Sequence, residues 1–286
     1  MKAFRRFDLV ALLAAILFLC SPARAWDDSL DSYREKGVII SASPYWKPYS
    51  FLGQDDELEG FLIDYWRKWS EKTGISVQFR LAPWKETITL VRNGECDFQS
   101  GLYSSEERSQ YLDFSQSIHR SKGVLAIKKG EPKSCEIVYS EPVGVIAGSY
   151  EESALKLKHP NTQARTYETN EAMLQAFVNG EVHAVVADLP TLMSLGGNLG
   201  IANDIEICDV VYERDLRAGL PKGNAALLSL VNEGLSLITA EEKEQISTKW
   251  FVAAPSDSGL LRLMVFGAFM ILLAIGGGMI WSSRRS

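Results

Sequence analysis

Strand-like and helix-like stretches alternate along the chain from Val38 onward, and that alternation limits the fold more than any other feature. Val38 to Ser43 (VIISAS) follows a turn glycine, Gly37, and reads as a buried strand. Gly60 opens FLIDYWRKWSEKTG, where Phe61, Tyr65, Trp66 and Trp69 share one helical face before Gly74 stops the run. Val77 to Ala82 is strand-like, Trp84 to Asn93 is helix-like and ends at Gly94, and Cys96 to Leu102 is strand-like again. This order implies a parallel sheet with right-handed crossovers, hence an α/β fold. The pattern then recurs. Pro142 to Ala147 is a strand running into Gly148-Ser149-Tyr150 and a helix; Asn170 to Asn179 is a helix closed by Gly180; Glu181 to Asp188 is a strand ending in an acid; Ile205 to Val211 is a further strand. Gly223 to Trp250 reads as one helical stretch with Leu227, Leu228, Val231 and Leu235 facing inward, and Pro44 to Phe51 (PYWKPYSF), broken by two prolines, as an aromatic loop. Two α/β lobes with polar groups at strand ends match the geometry in which open α/β sheets bind ligands.

The ends of the chain carry two apolar runs of different kinds. MKAFRR, then LVALLAAILFLC, then SPARA is a basic start, a short apolar core and a small-x-small site at Ala23-Arg24-Ala25. That is the pattern of a secretory signal peptide over 1–25, with the mature chain expected to start at Trp26. Gly259 to Trp281 is apolar apart from Arg262 near one end, and about 23 residues suffice to span a bilayer. Arg284 and Arg285 in the tail 282–286 predict a cytoplasmic end. The expectation is a periplasmic domain anchored in a bacterial inner membrane by a C-terminal helix. About 230 residues remain between the two runs, enough for two lobes.

Composition narrows the chemistry. A net charge of -6 argues against a nucleic-acid partner. Cys96, Cys135 and Cys208 follow the expected cleavage site, and Cys135 with Cys208 is a candidate disulfide in an oxidising compartment. No metal-ligand spacing, phosphate loop or nucleophile elbow is present, so no metal or cofactor is expected. GLYSSEERSQYLDFS, residues 101–115, sets Arg108 among small hydroxyls. Read alone it is a solvated loop, and Asp188 alone is the N-cap of a helix begun by Leu189-Pro190.

A set of motifs in order changes that reading. Pro48-Tyr49-Ser50-Phe51, Gly60-Phe61-Leu62-Ile63-Asp64, Trp84 ahead of a helix, Asn93-Gly94-Glu95-Cys96-Asp97, Glu107-Arg108, Asp113-Phe114-Ser115, Val143-Gly144-Val145 with Gly148-Ser149, Ala184 to Asp188 and Lys249-Trp250-Phe251 fall at one family's spacing. The chain resembles the family-3 periplasmic solute-binding proteins, amino-acid binders with a hinged two-lobe (type II, "Venus flytrap") fold, over nearly all of residues 37 to 251. The resemblance implies lobe 1 from 26–123 and 212–254, lobe 2 from 124–211, and hinge strands near Gly123–Ile127 and Val210–Asp215. It implies that Arg108 grips a ligand α-carboxylate, with Ser105 and Ser149 adding hydroxyls. Asp188 and the carbonyl of Gly101 would hold an ammonium, and Trp46 and Trp84, with Tyr49 nearby, would flank the side chain.

Departures from the family pattern are Tyr103 in place of a small hydroxyl residue, Tyr150 in place of a small residue, His183 for an aspartate, Gln116-Ser117-Ile118 near the hinge, and Ser43 where binders of basic side chains carry an acid. Tyr103 and Tyr150 are expected to reshape the pocket, pointing away from a common amino acid as ligand. The resemblance implies a binding protein rather than an enzyme. It implies a ligand sensor working by lobe closure and paired with a signalling protein, or else the anchored binding component of an ABC permease. A cyclohexadienyl or arogenate dehydratase needs a placed general acid, and no acid beyond Asp188 is legible near the cleft.

Overall fold

The computed structural model describes residues 30–130 and 138–251. The expected signal peptide 1–25, the apolar segment 259–281 with its tail 282–286, and Cys135 lie outside the described residues. Among the described residues no helix is long and apolar enough to cross a membrane.

After a short helix α1 (Leu30–Lys36), β1 (Val38–Ala42) pairs in parallel with β5 (Val77–Leu81) and β6 (Phe98–Tyr103). The intervening helices are α2 (Phe61–Thr73) and α3 (Trp84–Arg92), so the expected alternation is present. In the second half β9 (Val143–Ile146) pairs in parallel with β10 (Ala164–Tyr167) and β11 (Ala184–Asp188). Its helices are α4 (Tyr150–Lys158), α5 (Asn170–Val178) and α6 (Leu189–Asn198).

Two long strands join the parallel halves into a mixed nine-stranded sheet, eight strands in the order β10-β9-β11-β8-β12-β6-β1-β5 and a ninth paired to β12 off that row. These are β8 (His119–Lys128) and β12 (Ile205–Pro221), which run antiparallel to each other. The strand expected to end at Val211 therefore continues to Pro221. Its first part serves the second lobe beside β8, and its last part pairs with β6 and with β7 (Leu112–Phe114) in the first. Register shifts fall between Ile207 and Asp209 and between Val210 and Tyr212, and such bulges re-aim side chains. Gly123 faces Tyr212 there. A Cβ at Gly123 would come within 2.0 Å of the Tyr212 ring, so only glycine lets that ring lie over the strand and reach the cleft.

Two local readings are corrected. Gly223 to Trp250 is two helices, α7 (Ala225–Leu237) and α8 (Ala240–Phe251). Thr239 breaks them by starting a capping box: Glu242 N donates to Thr239 Oγ1 at 3.2 Å, and Thr239 N donates to the Glu242 carboxylate at 3.0 Å. Pro44 to Phe51 is not a plain loop. It supplies β2 (Tyr45–Trp46) and β3 (Ser50–Leu52), which with β4 (Leu58–Glu59) form a small antiparallel sheet.

The core of the first lobe is aromatic. Phe61, Tyr65, Trp66 and Trp69 are all buried on the inner face of α2, against Phe98 and the inner face of α7. Leu227, Val231 and Leu235 are buried as expected, while Leu228 is only partly covered. Each indole N–H finds a main-chain carbonyl: Trp66 Nε1 donates to Ser100 O at 2.8 Å and Trp69 Nε1 to Val231 O at 3.1 Å. Cys96 is buried and free, and Cys208 is disulfide-bonded.

Candidate functional site

The two lobes meet at the ends of β6 and β11. Every residue of β6 is buried, and its last, Tyr103, points its hydroxyl across the cleft. That hydroxyl donates to Asp188 Oδ1 at 2.5 Å. Asp188 is the N-cap residue of α6 but makes no side-chain cap bond, so the capping role open to it in the sequence is not its role. Its carboxylate turns into the cleft instead. Tyr212, from the bulged middle of β12, places its hydroxyl 2.8 Å from Glu151 Oε1 and 3.0 Å from Asp188 Oδ1. One hydroxyl has one proton, so it satisfies only one of the two acids at a time. Burial first, and the charge of Glu151 second, push the Asp188 carboxyl well above the usual carboxylate range. The same burial, reinforced by Asp188, pushes the hydroxyls of Tyr49, Tyr103 and Tyr212 well above their ordinary value.

Arg108 approaches from the first lobe on a short 3-10 turn, Arg108–Gln110, and is buried at 5 % exposure. Ser105 Oγ accepts from the Arg108 backbone N–H at 3.1 Å and so shapes the turn. The guanidinium donates to Tyr103 O at 2.7 Å and, across the cleft, to Gly148 O at 3.2 Å. It also lies over the Trp84 ring, 5.8 Å from the centroid. Trp84 Nε1 donates to the same Gly148 carbonyl at 3.2 Å. Gly148 sits at φ +70°, which glycine adopts freely, and Ser149 then caps α4 by accepting from Glu152 N at 3.2 Å. At the other end of the cleft, Asn170 Nδ2 donates to Tyr45 O at 3.3 Å.

A cavity of about 40 Å³ remains between the lobes. Its first-lobe wall is Ser43, Tyr45, Trp46, Trp84 and Tyr103; its second-lobe wall includes Ser149, Tyr150, Glu151 and Asn170. Trp46 meets Trp84 edge to face at 5.4 Å and Tyr49 at 4.5 Å.

Of the expected contact residues, Trp46, Trp84, Tyr103, Ser149 and Tyr150 line this cavity, and Arg108 and Asp188 stand directly behind it, joined through Tyr103. Three are placed elsewhere. Tyr49 is fully buried behind Trp46, with its hydroxyl on Ser121 Oγ at 3.0 Å. Gly101 packs between Leu62 and Leu216, and its N–H donates to Gln99 Oε1 at 2.7 Å. Ser105 lines a different, outer groove. The reading that no acid accompanies Asp188 is also corrected, because Glu151 does. In sequence Glu151 is one of two acids in the first turn of a helix, where a dipole role accounts for it. Tyr212 was hidden by its place in a strand whose bulge could not be read.

Comparison with known proteins agrees with this architecture. Residues 38–253 match the model of bacterial extracellular solute-binding proteins, family 3. The chain belongs to that family. It is 24% identical over 258 residues to the L-cystine-binding protein TcyJ of Escherichia coli K12, covering 87% of this chain and 96% of that one. It is 22% identical over 222 residues to the virulence sensor protein BvgS of Bordetella pertussis Tohama I, where the match covers 74% of this chain but 18% of the sensor. Among solved structures, the ancestral amino-acid-binding protein AncCDT-1, described as a precursor of cyclohexadienyl dehydratase, superimposes with a TM-score of 0.69 at 25% identity, covering 78% of this chain and 99% of that one. The two-lobe α/β fold of the periplasmic binding proteins follows from these likenesses and from the sheet order together.

Proposed function

We propose that this chain is an exported solute-binding domain, anchored in the inner membrane through 259–281, that takes a small amino-acid-like solute between its lobes and reports it by lobe closure. The lobes are 26–123 with 212–254, and 124–211. The observation that carries the reading is that Arg108 and Asp188, from opposite lobes, both bond to Tyr103, which lines one aromatic-walled cavity. Groups that complete each other only when the lobes approach give a ligand a way to shift the open–closed balance. Such a chain works with a signalling protein in the membrane, as the likeness to a sensor protein supports. Delivery to an ABC permease is the alternative, supported by the likeness to a cystine-binding protein.

The test is a thermal-shift screen of the full chain in nonionic detergent against amino acids, amines, dicarboxylates and short peptides. A ligand at 100 times its dissociation constant adds roughly 2.7 kcal/mol of stability. Arg108→Ala is expected to weaken the hit at least tenfold, and unchanged affinity would remove Arg108 from the site. Glu151 beside Asp188 favours one second reading, a dehydratase, because a paired acid is what that chemistry needs. Turnover of prephenate or arogenate would establish it, and its absence in the wild type would dismiss it.

A further inference from the structure

Both ends of the expected zwitterion template already bond in part to the protein itself. Asp188 Oδ1 takes hydroxyls from Tyr103 and Tyr212, which leaves only Oδ2 without a hydrogen bond. The two terminal nitrogens of Arg108 donate to the carbonyls of Tyr103 and Gly148. Tyr103 stands in both sets, with its hydroxyl on the acid and its carbonyl on the base. What remains open is the cavity beyond its ring, which Trp46, Trp84, Tyr45, Tyr150 and Glu151 line together.

Size and charge then define the occupant. A cavity of about 40 Å³ holds about three water-sized atoms, since each needs roughly 10–15 Å³. Of the two buried acids, Asp188 is pushed towards its neutral form, which leaves Glu151 as the buried acid lining the cavity, with the one buried base, Arg108, outside that lining. Asp188 Oδ2 is buried with no hydrogen bond, although the Trp46 indole lies close enough to favour its charged form. At the mouth Glu168 is matched by Lys85 at 3.6 Å. An incoming carboxylate would be stripped of water beside Glu151, whereas a cation gains a counter-ion and aromatic faces.

We infer that the cleft selects a compact organic cation without an α-carboxylate, a small alkylammonium, with Glu151 as its counter-ion and Tyr103 as the residue that sets the preference. The inference rests on the cleft being a small-solute site and narrows the amino-acid-like solute of that reading to its ammonium part, without the carboxylate.

The experiment titrates the full chain, in nonionic detergent, with ethylammonium chloride, glycine and L-alanine by thermal shift and calorimetry, against matched sodium chloride and sodium acetate. Ethylammonium is expected to raise the melting temperature of the wild type while glycine, alanine and acetate do not. Glu151→Gln, which keeps an acceptor for Tyr212, is expected to weaken ethylammonium at least tenfold. Tyr103→Ser, which frees Asp188 and opens the space of the ring, is expected to gain glycine and alanine binding, a gain that misfolding cannot mimic. Glycine or alanine binding the wild type as tightly as ethylammonium overturns this inference and leaves the solute-binding reading standing. So does ethylammonium binding unchanged in Glu151→Gln. Silence from ethylammonium overturns it too, and silence across the wider solute panel overturns both.

Discussion

Two clusters of buried aromatic rings lie on either side of β6, and they hold the molecule together in different ways. Behind the strand, Phe61, Tyr65, Trp66, Trp69 and Phe98 form the dry core of the first lobe. The two indoles there donate to carbonyls of their own lobe. In front, Tyr103, Tyr150 and Tyr212 meet ring to ring at 4.9 to 5.7 Å, but the hydroxyl partners of Tyr103 and Tyr212, Asp188 and Glu151, are acids. Tyr103 reaches its partner only across the cleft. The first cluster fixes one lobe. The second joins residues of both lobes, so the same residue types pack one lobe in one place and bridge the two in the other.

The sharpest way to break this comparison is to empty one cluster. Trp66→Ala is expected to cost about 3–5 kcal/mol of unfolding free energy, read by denaturant titration, because a large cavity opens in a packed core. Tyr103→Phe in the cleft removes a hydroxyl and no ring, so its cost is expected to be smaller and to appear in lobe closure. If Trp66→Ala cost less than about 1 kcal/mol, the core would not be the rigid partner in the comparison.

Acid tests the two clusters in opposite directions. His119, on β8, stacks on Phe251 at 4.6 Å and lies 5.2 Å from Phe61, and burial pushes its pKa down to about 4. The unfolded chain takes up that proton near pH 6.5, so stability falls as pH drops from about 6.5 towards 4, by on the order of 3 kcal/mol. His119→Leu should flatten that limb, and an unchanged limb would place the acid sensitivity elsewhere. Asp188 carries the reverse sign. Its carboxyl is raised, so the native state holds its proton above the ordinary value near 3.9, and its contribution falls as pH rises from there through the folded pKa. Asp188→Asn is therefore expected to gain on the wild type as pH rises above about 4. A variant that lost ground with rising pH would contradict the burial argument.

The smallest effect belongs to the outer surface of the core. Lys249 Nζ and Trp250 Nε1 both reach Asp64, at 2.6 and 2.8 Å, and dock α8 on α2. Lys249→Ala is expected to cost less than about 1 kcal/mol, because Lys249 is exposed and the indole bond survives.

Much of this was legible in the sequence, and the boundary has physical causes. The α/β alternation follows from local periodicity, and glycines such as Gly74 closed elements where they were expected to. The length of β12 was not legible, since its two parts are buried by different lobes and bulges interrupt its pattern. The break at Thr239 was visible as a capping box but was masked by apolar spacing on both sides. In the cleft, the resemblance led to Arg108, Asp188, Trp46, Trp84 and Ser149. Tyr49, Gly101 and Ser105 do not line the cavity, because a one-residue rotation along a strand or turn decides whether a group lines it or packs behind it. Glu151 and Tyr212 were missed for a related reason: each matters through a partner distant in sequence.

The account stands most directly on the distance between the lobes. Spin labels at Leu81→Cys in the first lobe and at exposed Leu157→Cys in the second report it in the full chain. With the wild-type cleft one short, narrow distance distribution is predicted. Adding Asp188→Ala and Arg108→Ala should lengthen and broaden it. Superimposable distributions would show that the lobes are held by something other than the cleft cluster, and would contradict the central claim.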